Sequence, residues 1–272
     1  MKFTRLIEEM RTIRDYKKEL VNPDFIKEVL DSGTIAKGFW KDTQTSIRLI
    51  ENGKEMYDEL SGKAGYNGKM IEAPHYLVIS SKVSPGHIES GGYIMEWMRL
   101  KAWELGLGTC WLSVENTETL HKKLNLGNDE VITAFASIGY PYTGIFKKDL
   151  SHTSSRLGIE DIISLETWGK PCSIEYLNTR GMTNIFYYAR LAPSWRNKQP
   201  WHFIIDNDKI LLIMNQMEKE NMLVDAGIIM LYFEKAAHEE GILGSWKLET
   251  SDDMIHQYAI PHTHYLIGYY QI

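Results

Sequence analysis

Ala192-Pro193-Ser194-Trp195-Arg196-Asn197-Lys198-Gln199-Pro200-Trp201 is the stretch on which the reading of this chain turns. Its prolines bracket a segment that cannot continue a helix, because proline lacks the amide donor that a helix interior needs. Ser194, Asn197 and Gln199 place donors and acceptors between the brackets, and the β-rich run His202-Phe-Ile-Ile205 follows at once. A helix-to-strand turn with convergent amides can hold a planar polar ring. On pattern alone the better account is a turn whose polar groups cap the helix and whose Trp residues fill the core.

A second segment stands far upstream. Arg11-Thr12-Ile13-Arg14 follows an amphipathic run at 4–11, in which Leu6, Ile7 and Met10 share a stripe. Two guanidiniums and a hydroxyl so close together can chelate a phosphate. Taken alone, the cluster is more simply a solvated helix end.

Between and beyond these segments the chain repeats itself. Gly92-Tyr-Ile-Met-Glu-Trp-Met-Arg-Leu-Lys-Ala-Trp-Glu-Leu-Gly106, then Cys110-Trp111, parallels Gly227-Ile-Ile-Met-Leu-Tyr-Phe-Glu-Lys-Ala-Ala-His-Glu-Glu-Gly241, then Ser245-Trp246. Ile138-Gly139-Tyr140 is echoed by Ile267-Gly268-Tyr269. The two helices this predicts, about 91–105 and 226–237, are apolar on most faces and belong in a protein's centre, where they could pack on each other. Their closing glycines suit the left-handed position just past a helix end. Further helices are expected at 23–31 and 183–191, and strands at 45–50, 75–81, 131–138, 202–206, 210–214 and 264–270. Without regular βαβ units, an α+β layered architecture fits better than a doubly wound parallel sheet.

Bulk properties narrow the function. The chain has 272 residues, 43% hydrophobic and 24% charged, enough for a large core. A net charge of −6 argues against general nucleic-acid binding, so any anion site must be local. Cys110 and Cys172 form neither a zinc framework nor a disulfide scaffold. The N-terminus reads as no signal peptide and the run 226–233 is too short to span a bilayer, which predicts a cytoplasmic protein with no membrane partner. Gly106-x-Gly108 follows a helix, where a dinucleotide fingerprint must follow a strand. His262-x-His264 would put two imidazoles on one strand face, read as ordinary strand histidines rather than metal ligands.

In their order along the chain these segments resemble the nitroreductase family of flavin mononucleotide (FMN)-dependent oxidoreductases. Arg11-Thr-Ile-Arg14 and Tyr16 match its Arg/Ser/x/Arg-type segment with a following aromatic, and Ala192 through Trp201 match its Ala-Pro-Ser-x-x-Asn-x-Gln-Pro-Trp loop at every named position. Lys69-Met-Ile-Glu-Ala-Pro74, Gly106-Leu-Gly-Thr-Cys-Trp111, Gly139-Tyr-Pro141 and Arg156-Leu157 match in turn. The resemblance implies a nitroreductase-like α+β fold of mixed, mostly antiparallel sheets with packed helices. It further implies FMN as cofactor, NADH or NADPH as electron donor, and a nitroaromatic, quinone or similar small-molecule acceptor. By this resemblance the phosphate meets Arg11, Thr12, Arg14 and Arg156, and Lys69 lies near the ring's pyrimidine edge or ribityl chain. Backbone N–H groups of Leu112, Ser113 and Val114 face the ring, joined by Pro193, Ser194, Trp195 and Asn197. Because the flavin carries the chemistry, no catalytic side chain is implied. A flavin-binding protein without turnover, or another chemistry such as reductive dehalogenation, is the alternative.

The pattern departs from the family's in ways that matter. In relatives the Pro-Ser-Asn loop follows the Arg segment by one helix. Here that position holds Gly33-Thr-Ile-Ala-Lys-Gly38, and the second half offers only Arg180 as a phosphate ligand. An asparagine common in the family falls on Tyr66, with Asn67 one place away. These departures predict a single intimately packed unit of two pseudo-repeats, about 1–164 and 165–272, each keeping one part of a single site. A monomer would then replace the family's homodimer as a pseudo-dimer.

Overall fold

In a computed structural model, which describes residues 2–37, 40–66, 68–114, 117–142, 154–215 and 219–272, the β-rich runs pair as their alternation suggests. Gly38 and Asn67, named above, lie outside the described residues. Close contacts divide the chain into two compact units, Glu9–His152 and a second that joins Lys2–Glu8 to Thr153–Ile272.

The first unit is built on β1 (Thr45–Ile50), β3 (His75–Lys82), β4 (Gly108–Trp111) and β6 (Glu130–Gly139). They form one sheet in the order β1-β3-β6-β4, every pairing antiparallel. Helix α2 (Pro23–Lys37) and helix α4 (His87–Glu104) flank it, with α3 (Gly53–Leu60) and α5 (Glu118–Lys123) in the connections. A two-stranded ribbon of β2 (Ala64–Gly65) and β5 (Ser113–Val114) completes the unit. Helix α2 runs past its expected end at 31, because Gly33-Thr-Ile-Ala-Lys holds no proline to stop it. A side chain at Gly33 would meet Met98 Sδ at 2.6 Å, so the bare glycine lets α2 pack closely on α4.

The second unit carries β7 (Ile163–Leu165), β8 (Trp201–Asp206), β9 (Lys209–Asn215), β10 (Ser245–Lys247) and β11 (His264–Gln271), in the order β10-β11-β9-β8-β7. Only β7 against β8 is parallel among the described strands. Helices α6 (Ile174–Thr179), α7 (Thr183–Ala189), α8 (Lys219–Glu239) and α9 (Asp252–Gln257) complete it. Phe233 on α8 is ringed by Phe186, Phe203, Trp246 and Tyr270, with centroids 5.2–5.6 Å away. Most of helix α1 (Phe3–Glu9) also belongs here: the Glu239 carboxylate accepts the Phe3 and Thr4 N–H groups, and Phe3 packs edge-on against Tyr232.

The internal repeat is a repeat of topology. Each unit runs through a strand pair, a long buried helix, a left-handed glycine, an edge strand bearing Trp, a short helix and an inner strand. Gly106 and Gly241 have φ of +77° and +80°. After each glycine an amide reaches back to the helix, Leu107 N–H to Ala102 O at 2.8 Å and Ile242 N–H to Ala237 O at 2.9 Å. Residues before and after the first repeat, α1 and β7, pack with the second unit. The contact boundary therefore falls ahead of the repeat boundary expected near 164. No helix among the described residues is long and apolar enough to cross a membrane.

Candidate cofactor site

The Arg11–Arg14 segment is extended and pinned to the edge of the first sheet. Ile13 N–H donates to Thr109 O at 3.0 Å, and a Cβ on Gly108 would lie 2.6 Å from Ile13 Cβ, so only glycine admits this approach. Downstream, Tyr16 forms a bridge with Pro141. Its hydroxyl donates to Ile13 O at 2.6 Å and lies 2.9 Å from Ser137 Oγ; burial raises its pKa well above the usual phenol range. Ile13 and Tyr16 anchor the segment, with Arg11 exposed and Thr12 and Arg14 half-buried. The Arg14 guanidinium carbon stands 4.2 Å from the centroid of the Tyr66 ring.

Tyr66 opens the tight turn that carries Lys69. Tyr66 N–H donates to Lys69 O at 2.9 Å, and Lys69 N–H returns to Tyr66 O at 3.2 Å. The same ribbon pairs Gly65 with Ser113 and Ala64 with Val114, and Ser113 Oγ donates to Gly65 O at 3.0 Å. Arg14, Lys69, Ser113 and Val114 are thereby brought together through Tyr66 and Gly65. One expectation narrows: Leu112 N–H donates to Phe135 O at 2.9 Å inside the sheet. Of the three amides expected to face a ring, Leu112's is already engaged.

Behind β4 lies a charged network absent from the sequence reading. Glu96 is fully buried and Arg99 is 2% exposed, and they pair at 2.5 Å. The Trp111 indole donates to Glu96 at 2.8 Å, and Arg99 Nε donates to Thr109 Oγ1 at 3.1 Å. Helix α4 is thereby tied to the strand that leads directly into Leu112–Val114.

In the second unit, α7 ends before Pro193 and the loop folds on itself. Ser194 Oγ accepts the Gln199 N–H at 2.8 Å, and Ser194 O accepts the Asn197 N–H at 3.0 Å. Arg196, Asn197 and Gln199 all hold left-handed φ, between +49° and +56°, a conformation that costs non-glycine residues free energy and needs outside support. Arg156 supplies part of it, donating to Asn197 Oδ1 and, at 3.0 Å, to Leu191 O. Burial lowers the pKa of that guanidinium. Asn197 Nδ2 donates to Ser155 O at 3.0 Å, and Gln199 Oε1 accepts the Leu157 N–H at 2.9 Å.

The Asn197 and Gln199 side chains bind residues 155–157 and shape the loop, as an ordinary turn would. Arg156 stands with Asn197. Trp195 is half-buried, with the Arg196 guanidinium 4.4 Å from its ring.

Asp225, on α8, is the residue that sequence reasoning missed. It is 2% exposed, and both its oxygens accept the Trp195 N–H, at 3.0 and 3.1 Å. Burial pushes its pKa up to about 8 against the lowering effect of that N–H. The expected histidine pair is also revised: His262 precedes β11 and only His264 lies on it. Among the described residues no group of three or more His, Cys, Asp or Glu could hold a metal.

Comparison with known proteins places these features. The family described as "Putative TM nitroreductase" matches residues 2–237. A solved structure described as a putative nitroreductase, from Thermotoga maritima, is similar over 98% of this chain and 94% of its own, at 18% identity and a TM-score of 0.59. A nitroreductase family protein from Clostridium difficile aligns over 60% of this chain and 98% of its own, at 20% identity and a TM-score of 0.50. An FMN-dependent nitroreductase from the same species aligns over 53% of this chain and 91% of its own, at 20% identity and a TM-score of 0.45. No curated protein sequence matches. The second of these structures, nearly whole, thus covers 60% of this chain.

Proposed function

We propose a function from the premise that this chain belongs to the "Putative TM nitroreductase" family: it is an FMN-dependent oxidoreductase of nitroreductase type. NADH or NADPH is the proposed donor and a nitroaromatic, quinone or similar molecule the proposed acceptor. When bound, FMN supplies the capacity to take up a hydride and pass the electrons on. Everything else falls to the protein.

The observation that carries the reading is the anchored Arg11–Arg14 segment, joined through Tyr66 to Lys69 and Ser113. Its donor set fits a phosphate monoester with an attached polar ring. Arg11, Thr12 and Arg14 offer two guanidinium forks and a hydroxyl to a group bearing nearly two negative charges. Lys69 and the Ser113 and Val114 amides offer donors to the ring. Ser194, Trp195 and Pro193 form the proposed ring-side loop, with Arg156, Asn197 and Asp225 holding its strained backbone.

One FMN per chain, bound to a monomer, is the proposed stoichiometry. Two features of the residues that would have to form a second site support it. Gly33–Lys37 is helical, where a ring-side loop would have to be. Arg180 is tied to Asn207 O at 2.6 Å and to the Tyr176 hydroxyl at 3.1 Å.

The decisive experiment is flavin content of the purified protein, followed by anaerobic addition of NADH or NADPH. Yellow protein with one FMN per chain, bleached by the donor and recoloured by an acceptor, is the expected result. Protein that stays colourless after incubation with FMN would sink the proposal, and colour without bleaching would leave a binder without turnover. Arg14→Ala should weaken FMN binding by about 1.5–3 kcal/mol, the range of a charge-assisted contact. Unchanged affinity would remove Arg14 from the phosphate site.

A further inference from the structure

The second unit holds a cleft of about 590 Å³ that shares only Trp195 with the proposed ring-side loop. It opens at one end of the sheet, where β8 starts, β9 ends and β11 starts. Its walls are aromatic. The Trp168 ring lies between two imidazoles, with its centroid 4.4 Å from that of His202 and 4.4 Å from that of His264. Trp195 and Trp201 line the same space. The cluster is braced from behind: Trp168 N–H donates to Tyr258 O at 2.9 Å, and His202 Nε2 lies 2.7 Å from Ser164 Oγ.

The polar groups point to one kind of ligand. Among the described residues Lys198 is the sole charged residue lining the cleft, and no described carboxylate faces it there. Burial lowers the pKa of both imidazoles, His202's to about 4, so at neutral pH they present uncharged rings. Trp201 is 3% exposed, yet among the described residues its indole N–H has no hydrogen-bond partner. A buried donor without an acceptor is uncommon in a folded protein and calls for one.

We propose that this cleft binds a planar aromatic carboxylate, its ring packed against Trp168 and His264 and its carboxylate paired with Lys198. The Trp201 N–H is the further donor that such an acceptor would satisfy. A cavity of this volume suits a small fused-ring ligand, and aromatic walls with few polar groups are the usual makeup of such sites. The inference is independent of whether the chain binds flavin.

The test titrates naphthoate into the full-length chain, read by tryptophan fluorescence and calorimetry, with naphthylmethanol as the uncharged comparator. Wild type should bind naphthoate more tightly than the alcohol. Lys198→Met, an exposed substitution, should weaken naphthoate roughly tenfold while leaving the alcohol unchanged. His264→Ala should weaken both ligands, with circular dichroism confirming the fold. Saturating FMN should leave naphthoate binding unaltered. Equal affinity for acid and alcohol, indifference to Lys198→Met, or displacement by FMN would each overturn the proposal.

Discussion

Glu96→Ala should cost about 3–5 kcal/mol of stability, the range for removing one partner of a buried ion pair. The side chain it deserts is Arg99, which is 2% exposed and paired to Glu96 at 2.5 Å. Removing the acid strands that charge, and the Trp111 indole loses its acceptor as well. Urea titration followed by circular dichroism reads the loss directly; a change under about 1 kcal/mol would show that the pair is not buried in solution. The internal repeat supplies its own control. Leu231 stands in register with Glu96 and is fully buried, while Trp246, in register with Trp111, donates to the Met230 carbonyl instead, at 3.0 Å. The second copy thus meets the same indole requirement without a charge. Glu96→Leu with Arg99→Met should accordingly recover most of what Glu96→Ala loses, because an apolar pair of similar volume avoids the desolvation cost. Recovery of stability with loss of flavin would mean that the pair serves the placement of β4 rather than the fold.

The elements legible in the sequence are those with a local cause. Long apolar runs closed by Gly106 and Gly241 gave both central helices, because a left-handed glycine stops a helix wherever it stands. The expected strands at 45–50 and 202–206 fall within a residue of β1 and β8. Three short helices were also signalled and passed over: Asn52, Ser173 and Ser251 each accept a hydrogen bond from the first turn of α3, α6 and α9. Other features had no local cause to read. Strand β7 is three residues long and exists because it meets β8 far along the chain. The site divides in the same way. Arg14 and Lys69 were legible as residue types in a motif, but their link through Tyr66 depends on tertiary contact. That Asn197 and Gln199 bind residues 155–157 could not be read from a motif, which records identity and not direction. Asp225 had a faint signal, one acid opening an apolar stretch of helix, which only the Trp195 amide makes meaningful.

Asp225→Asn should turn a nearly level pH–stability profile into a rising one in mildly acidic solution and flatten it above neutrality. An aspartate whose pKa is raised in the folded state keeps its proton there while the unfolded chain has released it. Stability therefore falls as pH rises, from the unfolded value near about 4 to the folded value of about 8. One group contributes a slope of about 1.4 kcal/mol per pH unit, so roughly 5 kcal/mol is forfeited across that span. His202 acts oppositely. Burial lowers its pKa to about 4, so the folded state binds fewer protons than the unfolded one, and stability rises with pH from there to about 6.5. His264, also lowered by burial, adds to that sign. Up to about pH 6.5 the aspartate and the histidines offset each other, and above it Asp225 acts alone, taking about 2 kcal/mol by pH 8. In Asp225→Asn the acid side should show the histidines unmasked, with stability climbing toward pH 6.5, and the alkaline side should be level. Urea midpoints of both proteins from pH 4.5 to 8.5, expressed as their difference at each pH, isolate the group. A difference that does not vary with pH would mean that Asp225 is ionised in the folded protein, and that the Trp195 amide meets a charge rather than a buried acid.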